Sequence, residues 1–291
     1  METITSAQNP RIKNLLLLQE KSKARREQGL FVVEGRRELE HCREAGFKLR
    51  TLFVCPEILA SSEVRDLLGM TNRTLPESAC HSERSEESFP IVEIPEQLYR
   101  KVAYRESTEG VIAEVEHKSL SLKDLQLSEN PLVMVLEAVE KPGNLGAVLR
   151  SADAAGADAV IVCDPLTDLY NPNLIRASIG AVFTVPTVTC SSEEAIAFLQ
   201  AHDIQILTAQ LQDSSFYYDV DMRRGTALVM GTESSGLTPL WRKAASAHIR
   251  IPMLGRLDSL NVSVSAAILL FEAVRQRHGL FYKGNGTEDA Q

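Results

Sequence analysis

Nowhere in the 291 residues do two cysteines fall into a C-x-x-C pair; Cys42, Cys55, Cys80, Cys163 and Cys190 are scattered and odd in number. That pattern suggests neither a disulfide framework nor a zinc site and leaves reduced or buried thiols as the expected state. The six histidines show no H-E-x-x-H or other paired spacing, so no metal is expected. Absent too is an uncharged apolar run of about 18 residues, the length that spans a bilayer. The first residues, METITSAQNPRIKN, also lack the apolar stretch of a secretory signal. A cytoplasmic protein without a membrane partner is therefore expected.

What is present suits a globular chain. The length exceeds the usual single domain of about 100 to 200 residues, and the apolar fraction of 44% supports a core in each of two domains. A net charge of -8 argues against a nucleic-acid partner when averaged over the molecule. The distribution is uneven: residues 1–50 hold eleven Lys or Arg against seven Glu, a local excess of four positive charges. A solvated, charged helix face fits these counts equally well.

Periodicity divides the chain. Residues 10–26, entered through Asn9 and Pro10, suit an amphipathic helix, followed by a strand at 30–35, a helix at 36–45 and a strand at 49–54. A helix near 61–68 and a strand at 110–115 complete a small α/β domain. Residues 78–90, Ser- and Glu-rich with the near-repeat S-E-R-S-E-E-S, have no periodic apolar face and are expected to be an inserted, mobile loop. A polar stretch at 118–130 reads as a linker. Beyond it, strand-length apolar runs at 132–136, 159–162, 182–188, 204–207, 227–230 and 249–251 alternate with helical segments, the pattern of a parallel sheet covered on both faces.

Three segments of this second half carry chemistry. In residues 137–157 an apolar strand turns at Pro142 and Gly143 into a helix for which Asn144 is a plausible N-cap. The glycine spacing is neither G-x-G-x-x-G nor a P-loop, so no nucleotide cradle is supported. Arg150 is the cation of that helix, expected in its first turns, where the dipole disfavours it. It is either a solvent-facing residue or a guanidinium that grips a phosphate or ribose oxygen. In residues 227–239 a strand ends at Gly231 in a Gly-Thr-Glu-Ser-Ser-Gly turn, which places Glu233 where α/β sheets build sites, or else on a surface turn. Residues 249–273 run from a strand through an irregular loop into an apolar helix marked by Ser259, Asn261 and Ser263; it is either a polar ligand's cradle or only a capped core helix.

Taken together, N-L-G-A-V-L-R-S-A at 144–152, G-T-E-S-S-G-L at 231–237 and I-P-M-L-G-R-L-D-S-L-N-V-S-V-S-A-A at 251–267 resemble, in order and spacing, the three motifs of the SpoU family of RNA 2'-O-ribose methyltransferases, in the SPOUT superfamily. The resemblance covers residues 131–280. It implies an α/β-knot: a parallel sheet with helices on both faces and a deep C-terminal trefoil knot, preceded by a small α/β RNA-binding domain. The implied boundaries are 1–117 for the substrate domain, 118–130 for the linker, 131–283 for the catalytic domain and 284–291 for a disordered tail. The 78–90 insertion departs from the family's N-terminal domain.

The resemblance further implies S-adenosylmethionine as cofactor, held by backbone groups at Gly231, Ile251 and Leu260, with Thr208, Ala209, Glu233, Met253, Asn261 and Ser263 beside them. Arg150 corresponds to the catalytic arginine, surrounded by Asn144, Glu233, Ser259 and Asn261, in a site usually completed across a homodimer. RNA, ribosomal rather than transfer RNA, is the implied substrate, with Arg11, Lys13, Arg25, Arg26 and Arg36 as docking cations. A guanidinium stays protonated and is a poor general base, so Arg150 is expected to fix a phosphate and favour the developing alkoxide, while Glu233 or a phosphate oxygen takes the proton. The alternatives are a non-catalytic RNA-binding factor of the same fold and an ordinary Rossmann-type enzyme; the intact Asn144, Arg150, Glu233 and Asn261 argue against the first, the missing glycine fingerprint against the second.

Overall fold

The computed structural model describes residues 2–59, 89–105, 109–232, 236–256 and 259–278. The expected helix near 61–68, the insertion apart from Phe89 and Pro90, Glu233 and the C-terminal tail lie outside the described residues. Contacts divide the chain into two compact units: Met1–Lys118 with Tyr170–Pro172, and Ser119–Leu169 with Asn173–Gln291.

The first unit is a five-stranded sheet in the order β1-β4-β3-β5-β2, made of β1 (Glu2–Thr3), β2 (Leu30–Glu34), β3 (Leu49–Val54), β4 (Ile91–Glu93) and β5 (Val111–Glu116). β5 runs antiparallel to β2 and β3, while β1 and β4 run parallel with β3. The expected helix at 10–26 is two helices, α1 (Pro10–Glu20) and α2 (Ser22–Gln28), broken at Lys21, whose backbone is extended. Asn9 caps α1 by accepting from the Arg11 N–H at 2.9 Å, and Ile12, Leu15 and Leu18 bury its inner face. The break strands carbonyls at the end of α1, and Arg25 answers them: its Nη1 donates to Leu18 O at 2.6 Å and Gln19 O at 3.1 Å. Arg25 is 1% exposed, so the docking role expected of it is corrected to a structural one. Helices α3 (Arg36–Glu44) and α4 (Glu96–Val102) are the other helices among the described residues of this unit.

The second unit is a seven-stranded sheet whose pairs are all parallel. Its order is β10-β12-β9-β11-β6-β7-β8. The strands are β6 (Leu132–Glu137), β7 (Ala159–Cys163), β8 (Thr187–Cys190), β9 (Gln205–Ala209), β10 (Ser215–Phe216), β11 (Thr226–Met230) and β12 (Ala247–Arg250). Near-continuous apolar runs such as LVMVLE and AVIVC are buried along their whole length, as a sheet covered on two faces demands. Helices α5 (Pro142–Ala154), α6 (Pro172–Ser178), α7 (Ala181–Thr184), α8 (Ser192–Ala201), α9 (Pro239–Ala244) and α10 (Val262–Arg277) connect them. The run at 182–188 is not one strand: its first half is α7, entered through Gly180 at φ 86°, and only Thr187 onward pairs with β7. A short apolar run reads alike in either form. Part of the polar 118–130 stretch packs on this unit, a 3-10 turn at Leu122–Asp124 setting Leu122, Leu125 and Leu127 against the core.

The order of strands places the site. From β9 the chain goes out to β10, returns to β11 on the inner edge of β9, and goes out again to β12 on the outer edge. Residues 251–261 then come back to α10, which packs on α5, β6 and β11. This doubled crossing gathers several loops at the C-terminal ends of the central strands, where parallel sheets carry their sites. Among the described residues no helix is long and apolar enough to cross a membrane.

Candidate active site

At that end of the sheet lies a hollow of about 330 Å³, within the size range of small-molecule sites. Ala209, Gly231, Ile251, Met253 and Leu260 line it, as does Ser259. Gly231 follows directly on β11 and admits no side chain: a Cβ there would collide with the Gly236 carbonyl and Leu237 N. The turn folds back on itself through a bridge between Thr232 and Gly236. Gly146, by contrast, serves packing; a Cβ would meet the Ala177 methyl at 2.6 Å, where α5 crosses α6.

A smaller hollow of about 120 Å³ adjoins the first, and Gly231, Thr232 and Val262 border both. Asn144 and Lys141 from α5 and Glu137 from β6 line the smaller one. Asn144 does not cap α5 as expected. Lys141 is the cap residue and Asn144 sits in the first turn, its Oδ1 accepting from Asn261 Nδ2 at 3.2 Å. Asn261 in turn caps α10, accepting from Ser263 N at 2.9 Å and Ser263 Oγ at 2.6 Å. Asn261 and Ser263 therefore buttress the hollows rather than line them. Thr208 is fully buried, its hydroxyl 2.6 Å from His248 Nδ1, and it is not among the residues that line either hollow.

Arg150 is the ninth of the thirteen residues of α5, past its middle rather than in its first turns. It is exposed and borders neither hollow of its own chain. Glu233 lies outside the described residues.

Two contributors escaped the sequence analysis. Glu137, 4% exposed, accepts from Thr238 N at 2.9 Å and Thr238 Oγ1 at 2.7 Å, clamping the far end of the turn that begins at Gly231. The signal was a lone carboxylate ending an apolar strand. Gln210 extends β9 by donating its N–H to Ile249 O at 3.0 Å, and its side-chain Nε2 reaches Gln212 O at 2.9 Å. Its Oε1 is buried beside the larger hollow with no partner among the described residues, an acceptor awaiting an N–H donor. Apolar walls from Met253, Leu260 and Leu269, open backbone at strand ends and this orphan acceptor suit a ligand with an apolar ring and amino groups, as S-adenosylmethionine is.

Comparison with known proteins agrees with this geometry. Residues 131–271 match the model of the SpoU rRNA Methylase family. The chain is 40% identical over 176 residues to 23S rRNA (guanosine-2'-O-)-methyltransferase RlmB of Bordetella pertussis, covering 59% of this chain and 72% of that protein. The chain belongs to the SpoU family. Within it, 23S rRNA (guanosine(2553)-2'-O)-methyltransferase RlmP of Bacillus subtilis is 30% identical over 274 residues, 93% of this chain and 98% of the relative. The AdoMet-bound rRNA methyltransferase from Sinorhizobium meliloti superposes with a TM-score of 0.82 at 29% identity, over 94% of this chain and 97% of that one. Residues 9–113 match an MRM3-like substrate binding domain, so the first unit of this SpoU chain has relatives of its own.

Proposed function

We propose that this SpoU-family chain is an S-adenosylmethionine-dependent methyltransferase acting on a ribose 2'-hydroxyl of ribosomal RNA, in the cytoplasm and as a homodimer. The observation that carries the reading is the pair of adjoining hollows at the ends of β9 and β11, one shaped for an amphipathic cofactor and the other lined by Asn144. When bound, the cofactor supplies an electrophilic methyl group. The chain's own task is alignment, which alone is worth several kcal/mol, and lowering the cost of deprotonating the hydroxyl. Ala209, Gly231, Ile251, Met253 and Leu260 would hold the cofactor, and Gln210 Oε1 would offer it a hydrogen-bond acceptor. Asn144, fixed by Asn261, orients the acceptor ribose.

Arg150, turned to solvent in one protomer, serves the hollow of its partner, where its planar fork fixes a phosphate and favours the alkoxide as it forms. Glu233 or a phosphate oxygen takes the proton. Only RNA offers the 2'-hydroxyl, and the exposed Lys13 and Arg26, with Arg11 and Arg36, face its backbone. The test is to incubate the protein with unmethylated ribosomal RNA and methyl-labelled S-adenosylmethionine and to map the label. A 2'-O-methyl ribose supports the reading; label on a base, or none with cofactor bound, sinks it.

A further inference from the structure

The first unit also holds a hollow of about 760 Å³, none of whose lining residues belongs to the two hollows described above. It is lined by the start of α1 and by residues of β2, β3 and β5; Asn14, Leu30, Arg50, Pro90 and Glu114 are among its walls. Glu114 stands in the middle of β5, 6% exposed, in a position where an unpartnered carboxylate would be costly. Asn14 Nδ2 donates to its Oε1 at 3.2 Å, and Gln28 Nε2 donates to Asn14 Oδ1 at 2.8 Å, so the Asn14 amide is turned with its donors towards the carboxylate. The Thr51 side chain supplies a second hydrogen bond. An ionised carboxylate has about four acceptor positions, and these two contacts use only part of that capacity at a residue that lines the hollow.

Opposite, the β3–β5 register shifts between Leu49 and Thr51, leaving Arg50 as the extra residue of a bulge, a device that re-aims side chains beside sites. Arg50, Lys48 and Arg11 thus put cations on the rim of a hollow with a carboxylate in its wall. A bare anion is opposed by Glu114 and Glu116, and a metal ion by those three cations and the Asn14 amide hydrogens. What satisfies both is a molecule with N–H donors at one end, an anionic group at the other and a flat body against Leu30, Leu49 and Pro90. That is a nucleotide, and RNA is read chiefly through splayed-out bases on their Watson–Crick edges. Guanine alone among the four bases presents two neighbouring donors, N1–H and N2–H, to match the two oxygens of a carboxylate.

We propose that this hollow takes one unstacked guanosine nucleotide of the RNA substrate, Glu114 reading the base and Arg50 with Lys48 meeting its phosphate; the inference rests on the RNA reading above. The full-length protein, saturated with S-adenosylhomocysteine to block the methyl-donor hollow, is titrated calorimetrically with 5'-GMP, 5'-AMP, 5'-CMP, 5'-UMP and guanosine. GMP is expected to bind about tenfold more tightly than the other three nucleotides, the discrimination of one good bidentate contact. Glu114→Gln removes that preference, while Arg50→Ala, at an exposed position that leaves the fold intact, removes the advantage of GMP over guanosine and keeps the preference for guanine. Equal or absent binding of the four nucleotides by the unaltered protein overturns the proposal, as does GMP binding unchanged in both variants. Failure to bind S-adenosylhomocysteine at all instead strikes at the methyltransferase reading, while GMP binding remains measurable.

Discussion

Arg150 and Arg25 reverse what their sequence neighbourhoods advertise. The basic run at 21–26 looks like one docking stripe, yet Arg25 closes the helix break by reaching two carbonyls, a need that arises only once Lys21 interrupts the helix. Arg25→Ala is expected to destabilise the protein by about 2–3 kcal/mol, the cost of leaving buried acceptors unmet, as read by denaturant melts. Arg26→Glu, on the surface, should instead weaken RNA binding and flatten its salt dependence without moving the melt. Arg150→Lys tests the planar fork: turnover should fall about 100-fold or more with cofactor affinity unchanged, and near-normal turnover would remove the geometric role. Glu114 gives a pH signature. Desolvation, outweighing Asn14, Thr51, Arg11 and Arg50, raises its pKa above 4.5, so the folded state holds its proton more tightly than the unfolded chain does. The stability this contributes is present below pH 4.5 and is lost as pH rises through the folded value. Glu114→Gln should therefore melt increasingly above the unaltered protein as pH is raised from 4 to 7.

At the scale of elements, the interior of the second unit was the most legible part of the fold. β6, β7, β9 and β11 are apolar, short and bounded by turn residues, and their positions follow within a residue or two. The misses have physical causes. α7 and β8 share one apolar run that burial alone cannot divide, and β10 has two residues, too few for any period. Of the site, the glycine and loop backbone were readable from the motifs, but Glu137 and Gln210 act through partners 101 and 39 residues away in sequence. The Glu137–Thr238 clamp makes its own prediction. Thr238→Val keeps the backbone bond and loses the hydroxyl bond, loosening the turn after Gly231, so the cofactor dissociation constant should rise about fivefold or more in calorimetry while the melting temperature shifts little.

At the scale of the molecule, the proposal that Arg150, exposed and bordering neither hollow of its own chain, serves a partner's site can be tested by subunit mixing. Gly231→Val, which blocks the cofactor turn, and Arg150→Ala should each be inactive alone. Mixed and allowed to exchange subunits, they form hybrid dimers in which one site has an intact hollow and an intact arginine, and activity should return to roughly a quarter of normal, half the dimers being hybrid with one working site each. No recovery on mixing would place the arginine with its own chain's hollow.

The doubled crossing of the sheet also sets a timetable. Walls of the larger hollow come from as early as Ala209 and as late as Leu269, with β12 and the returning segment between them. A nascent chain leaving the ribosome can lay down β6 to β11 and bury most of the apolar sheet while still having nowhere to keep a cofactor. The hollow lacks a wall until α10 is in place, so a chain released before that helix is expected to hold no cofactor.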